Sequence, residues 1–143
     1  MSKSLGNGIY LSDPAEDVAA KIKSMYTDPG HLKVSDPGKV EGNAVFTYLD
    51  AFSTPEHFAE YWPEYANLAE LKDRYRHGGL GDVKCKKFLN NVLEETLSPI
   101  RARRHELERD IPALYDMLGA GCEAARGVGS HRSEERRVGK ECR

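Results

Sequence analysis

The chain has 143 residues and 16.0 kDa, enough for one ordinary domain. Apolar residues make up 39% and charged residues 31%, which describes a polar, mainly helical protein, and no apolar run approaches the roughly 20 residues a bilayer span needs. The net charge of −2 does not by itself demand nucleic acid, and Cys85, Cys122 and Cys142 stand too far apart for a zinc site or a disulfide framework. With no signal-peptide core at the start, the expected compartment is the cytosol, with no membrane partner.

The opening dozen residues, Met1 to Ser12, set two small hydroxyl residues around a lysine, followed by glycines and an apolar run. Ser2 and Ser4 can donate to phosphate oxygens, and Lys3 adds a mobile charge with three donors. Gly6 and Gly8 let the backbone turn tightly. The chemistry suits a polyphosphate, although the spacing of a Walker A loop is absent.

Asp13-Pro14-Ala15-Glu16 predicts a helix start, with Asp13 as cap and Glu16 completing a capping box. Val18, Ile22 and Met25 then recur at helical spacing, so this helix should bury one face and tie the loop to a packed element. Residues 27–42 carry Asp28-Pro29-Gly30, Asp36-Pro37-Gly38 and Gly42, a density of turn formers that predicts a linker with little regular structure.

From Asn43 the chain turns apolar, with Val45, Phe46, Leu49 and Phe52 at helical spacing. Thr54-Pro55-Glu56 predicts another start, and Pro63 a further one. Leu68, Leu71 and Tyr75 form a stripe that stops at His77-Gly78-Gly79. Asp82 should cap the longest helix, whose seam is Cys85, Leu89, Val92, Leu93, Leu97 and Ile100, with Pro99 as a kink. Asp110 and Pro112 should open a last helix carrying Leu114, Leu118 and Cys122. No strand is expected after residue 12, and the ordered part reads as a mainly α helical bundle.

Lys84, Lys86 and Lys87 begin the long helix, and Arg101, Arg103 and Arg104 end it. They present either a solvated face balanced by Glu94, Glu95, Glu106 and Glu108, or contacts to nucleic-acid phosphates. His31, His57 and His77 lie in or beside turns without metal-ligand spacing, and Trp62 is expected to be a packing residue.

Residues 132–143, RSEERRVGKECR, have no apolar periodicity, and Arg132 to Cys142 match the translation of a common sequencing adapter. They are expected to be non-native, and setting aside their five basic and three acidic residues moves the net charge from −2 to −4.

Met1 to Asn7, MSKSLGN, resembles the Lys-Met-Ser-Lys-Ser loop of class I aminoacyl-tRNA synthetases, lacking its leading lysine. The blocks IYLSD (9–13), MYTDP (25–29), DPGKVEGNAVFTYLDAF (36–52), GGLGDV (78–83) and LSPIRARR (97–104) resemble the bacterial tryptophanyl branch of that family over residues 1–126. Tyrosyl-tRNA synthetases share the loop and are the nearest confusable branch.

The resemblance implies a fold and a division of the chain. Residues 1–12 would be the phosphate loop left from a truncated Rossmann-type catalytic domain, and residues 13–42 a linking helix and linker. Residues 43–131 would be the helical tRNA-binding domain. It also implies an activity: tryptophan is joined to ATP, used with Mg2+, and passed from the adenylate to tRNA(Trp).

Lys3 would be the catalytic cation on the phosphates. Ser2 and Ser4 would assist, with the Met1 backbone near the adenine. Lys84, Lys87, Arg101 and Arg104 would be weak tRNA contacts. No bound cofactor or structural metal is implied, and the family works as a homodimer. Because Met1 falls inside the motif, the expected start lies upstream and the isolated chain is expected to be inactive. A stand-alone helical RNA-binding or interaction module without catalysis is the alternative.

Overall fold

In the computed structural model, residues 6–141 are described, with side chains for residues 6–130. Six helices follow one another among the described residues: α1 (Ala15–Lys23), α2 (Ala44–Phe52), α3 (Pro55–Tyr61), α4 (Leu68–His77), α5 (Asp82–Leu107) and α6 (Ile111–Glu141). The mainly α expectation holds, and none of these helices is long and apolar enough to cross a membrane. The chain divides into two compact units, one ending at Arg101 and one beginning at Ala102.

The first unit contains the core. Val18, Ile22 and Met25 bury the inner side of α1 and its exit, as their spacing predicts. Val45, Phe46 and Leu49 do the same for α2, Phe58 for α3, and Leu71 and Tyr75 for α4. Helix α5 contributes Cys85, Phe88, Leu89, Val92, Leu93 and Leu97. The rings interlock off-parallel, with Phe58 and Phe88 4.7 Å apart and Trp62 5.5 Å from Phe88, so Trp62 is a packing residue. Burial pushes the Cys85 thiol up to about 12, which leaves it a small core hydrophobe.

Helix boundaries follow local polar chemistry. The Asn43 side chain accepts from the Val45 amide at 3.0 Å and starts α2. Thr54 starts α3 ahead of Pro55, and His57 closes the box by accepting from the Thr54 amide at 2.9 Å. Gly78 ends α4 at φ 85°, and a Cβ there would lie 2.4 Å from the Ser35 carbonyl oxygen.

Five sequence-based details of the first unit differ. Pro63 lies in a turn and opens nothing; α4 waits for Asn67, whose side chain accepts from the Glu70 amide at 3.0 Å, an acceptor that Trp62 could not offer. Asp13 does not cap α1, since Pro14 occupies the cap position without a side-chain bond and the Asp13 carboxylate is engaged elsewhere. Asp82 is the first residue of α5, and its carboxylate turns back toward Tyr75. Ile100 is 38% exposed, because α5 runs on past the last core residue, Leu97. Phe52, at the end of α2, is likewise partly exposed.

The linker expectation is half the story. No helix forms between Lys23 and Ala44, yet His31 and Val40 are buried and the segment wraps Tyr75. Gly38 donates to the Tyr75 carbonyl at 2.9 Å, and Gly79 to the Val34 carbonyl at 2.6 Å.

The second unit is the end of α5 and α6. Asp110 accepts from the Ala113 amide at 3.0 Å, the capping role expected of it. Ion pairs Arg103–Glu106 at 3.0 Å and Arg104–Glu108 at 2.6 Å lie along the end of α5. Leu118 and Cys122, expected on an apolar stripe, are exposed, as are Ile111, Tyr115 and Met117. Helix α6 continues to Glu141, through most of the segment expected to be non-native.

Gly38→Ala tests how the linker is held, because the new Cβ would sit 2.3 Å from Cε1 of the buried Tyr75 ring. The expected loss is about 1–3 kcal/mol by overpacking, read from urea unfolding midpoints at unchanged slope. Gly42→Ala meets nothing within 4 Å but sits at φ 79°, so its cost should come from the backbone alone.

Candidate functional site

Met1, Ser2, Lys3 and Ser4, expected to form a phosphate loop, lie outside the described residues. The structure does describe the downstream base of that loop and how the sequence secures it. Gly6 adopts φ 64°, and a Cβ there would meet nothing within 4 Å. Ile9 then packs against the core.

Immediately after it, Asp13 gathers three tethers. Its carboxylate accepts from the Tyr10 amide at 2.9 Å and from the Lys21 ammonium at 2.6 Å. Its carbonyl accepts from Arg101 Nη1 at 3.4 Å, across 88 positions of sequence. Lys21 also lies 5.0 Å from the Tyr10 ring centroid, within cation–π range. The Lys21 hydrogen bond, then the Tyr10 amide, hold the Asp13 carboxyl below its ordinary 3.8.

The cations expected to touch tRNA have separate placements. Lys84 and Lys87 are exposed in the first turns of α5. Lys86, beside them, donates to the Lys23 carbonyl at 2.9 Å and the Met25 carbonyl at 2.8 Å, closing the end of α1. Arg101 pairs with Glu94 while reaching Asp13. Arg104 pairs with Glu108 in the second unit. No group of three or more His, Cys, Asp or Glu residues suited to a metal is present among the described residues.

Two arrangements escape a reading of the sequence. The Asp13–Lys21 pair spans eight positions, off the (i, i+3) and (i, i+4) rule, and Asp13 already reads as a cap. The second centres on Tyr75, whose hydroxyl donates to Asp82 Oδ1 at 2.6 Å and accepts from Asn43 Nδ2 at 3.3 Å. His31 Nδ1 approaches the same Asp82 oxygen at 3.3 Å, and the His31 and Tyr75 rings meet edge-on at 4.9 Å. No local pattern links residues 31, 43, 75 and 82.

With this geometry in view, comparison with known proteins is informative. The family described as tRNA synthetases class I (W and Y) matches residues 1–98. The chain belongs to that family. A tryptophan–tRNA ligase of Clostridium longisporum is 54% identical over 128 residues, covering 90% of this chain and 35% of the relative. The Lactococcus lactis tryptophan–tRNA ligase is 50% identical over 135 residues, covering 94% and 38%. The chain therefore spans little more than a third of the curated relatives it matches.

Crystal structures of tryptophanyl-tRNA synthetase from Campylobacter jejuni share the fold at 24% identity, covering 94% of this chain. One gives a TM-score of 0.71 and covers 40% of that protein; the other, complexed with ADP and tryptophan, gives 0.73 and 39%. The helical architecture after the loop is thus that of synthetases in this family.

A protonation test follows from Asp13. A carboxyl with a lowered folded pKa contributes stability above its unfolded value of 3.8 and loses it as pH falls through the lower folded value. Side-chain carboxyl shifts of Asp13 should titrate below 3.8, and Lys21→Met should move that midpoint upward. A midpoint unmoved by Lys21→Met would remove Lys21 as the principal cause.

Proposed function

We propose that this chain is the phosphate-loop and helical portion of a tryptophan–tRNA ligase, which joins tryptophan to ATP, releases pyrophosphate and transfers the aminoacyl group to tRNA(Trp). The observation that carries the reading is identity of about half over 90% or more of the chain to relatives of that name. Those relatives favour tryptophan over tyrosine within a family that holds both.

In this reading the reaction builds negative charge on the departing pyrophosphate, carried with Mg2+ as part of the ATP substrate. A preplaced ammonium stabilises that charge where it develops, and Lys3 is the residue we assign to it. Ser2 and Ser4 donate to the phosphates, and the Met1 backbone lies by the adenine. The anchored base at Ile9 and Asp13 supports such a loop, because donors work when their origin is fixed while the tip adjusts.

Residues 43–131 are assigned to tRNA, with Lys84 and Lys87 as exposed phosphate contacts; Arg101 and Arg104 would contribute only by releasing Glu94 and Glu108. We assign the intact enzyme to the cytoplasm, as a homodimer.

Orienting two reactants supplies a large share of the rate, and the tryptophan pocket is assigned to the part of the relatives that this chain does not span. The 143-residue chain alone should therefore show no tryptophan-dependent ATP–pyrophosphate exchange. Joined to the preceding part of the Clostridium longisporum relative, it should restore exchange. Lys3→Ala in that chimera should lower kcat by roughly 100- to 1,000-fold, the usual effect of deleting one transition-state donor. An active Lys3→Ala chimera would remove Lys3 from the chemistry.

A further inference from the structure

Away from the loop base, α1 and the first turns of α5 enclose a cavity of about 440 Å³ within the first unit. That volume falls in the range of small-molecule sites. Its wall is apolar at Ala19, Ile22 and Val83, and Val83 is 80% exposed, an apolar side chain held open at the mouth.

Three cations line it, Lys23, Lys86 and Lys87, and among the described residues Lys23 and Lys87 have no ion-pair partner. Lys86 stiffens one side by donating to the Lys23 carbonyl at the end of α1 and to the Met25 carbonyl just beyond it. Asp82, the acidic group on the lining, already accepts from Tyr75 and faces His31. Asn90 also lines the space, with its Oδ1 buried beneath the surface.

We infer that this cavity is a binding site for a small organic anion: an apolar, preferably aromatic body on Ile22 and Val83, and an acidic group between Lys23 and Lys87. The α5 N-terminus adds to the preference for negative charge. The site does not depend on the synthetase reading.

The probe is 1-anilinonaphthalene-8-sulfonate, which carries an aromatic body, a sulfonate and an N–H, set against the uncharged N-phenyl-1-naphthylamine. The full chain should bind the sulfonate saturably, with amide shifts at Ala19, Val83 and Asn90. The Lys23→Gln, Lys87→Gln double variant should weaken it roughly tenfold, the scale of one charge-assisted bond, without changing the amide spectrum elsewhere. Val83→Asp, at an exposed position that leaves the core intact, should abolish binding. Leu118→Asp, on the exposed face of α6, should leave it unchanged.

Absence of saturable binding, equal affinity for the uncharged analogue, or loss with Leu118→Asp but not with Val83→Asp would overturn the assignment.

Discussion

The Tyr75 hydroxyl is the contact on which the arrangement of the first unit depends. It lies in the core, donating to Asp82 and accepting from Asn43, with His31 edge-on to its ring and Phe46 against it at 4.8 Å. One side chain thus joins the linker, the cap of α2, the body of α4 and the start of α5. Burial, then the bond to Asp82, push its phenol far above the ordinary tyrosine value, so it stays a donor. Each partner left unpaired in that interior would cost about 1–3 kcal/mol, so the network resists piecemeal loosening. A segment dense in turn formers is thereby held as firmly as a helix would be.

That contact also marks where the sequence stops being informative. Residues that bury through periodicity were legible: Val18, Ile22 and Met25 on α1, Leu71 and Tyr75 on α4, and the α5 seam as far as Leu97. Glycine at 78 and threonine at 54 announced helix ends through local chemistry. What failed needed distance. Asp13 and Asp82 each precede a helical run and read as caps, but Lys21 and Tyr75 compete for their carboxylates. Ile100 keeps the period of its helix, yet the core it would face ends at Leu97. The phosphate loop was the reverse case, since its residues spoke through resemblance and the structure speaks only of its base.

The basic residues of α5 show why charge counts mislead. Six cations lie between Lys84 and Arg104, but Lys86 is occupied by carbonyls, and Arg101, Arg103 and Arg104 by glutamates. Exposed pairs of this kind are weak, about 0–1 kcal/mol, so a phosphate could displace a glutamate from Arg103 or Arg104 at little cost. Arg101 differs, with a side chain only 14% exposed and a second bond to the Asp13 carbonyl. Releasing it would loosen the base of the loop. Of the four cations first considered for tRNA, Arg101 is therefore structural in this state, and the free charge sits at Lys84 and Lys87.

The same tethers limit how the loop can move. Its downstream end is fixed by Ile9 in the core, by Asp13 to Lys21, and by Arg101 from the far part of α5. None of these can shift by much without exposing apolar surface or leaving a charge unpaired. Gly6 precedes all three tethers, and at φ 64° an added Cβ would meet nothing within 4 Å, so a side chain there would cost backbone strain and leave the packing that holds Ile9 and Asp13 untouched.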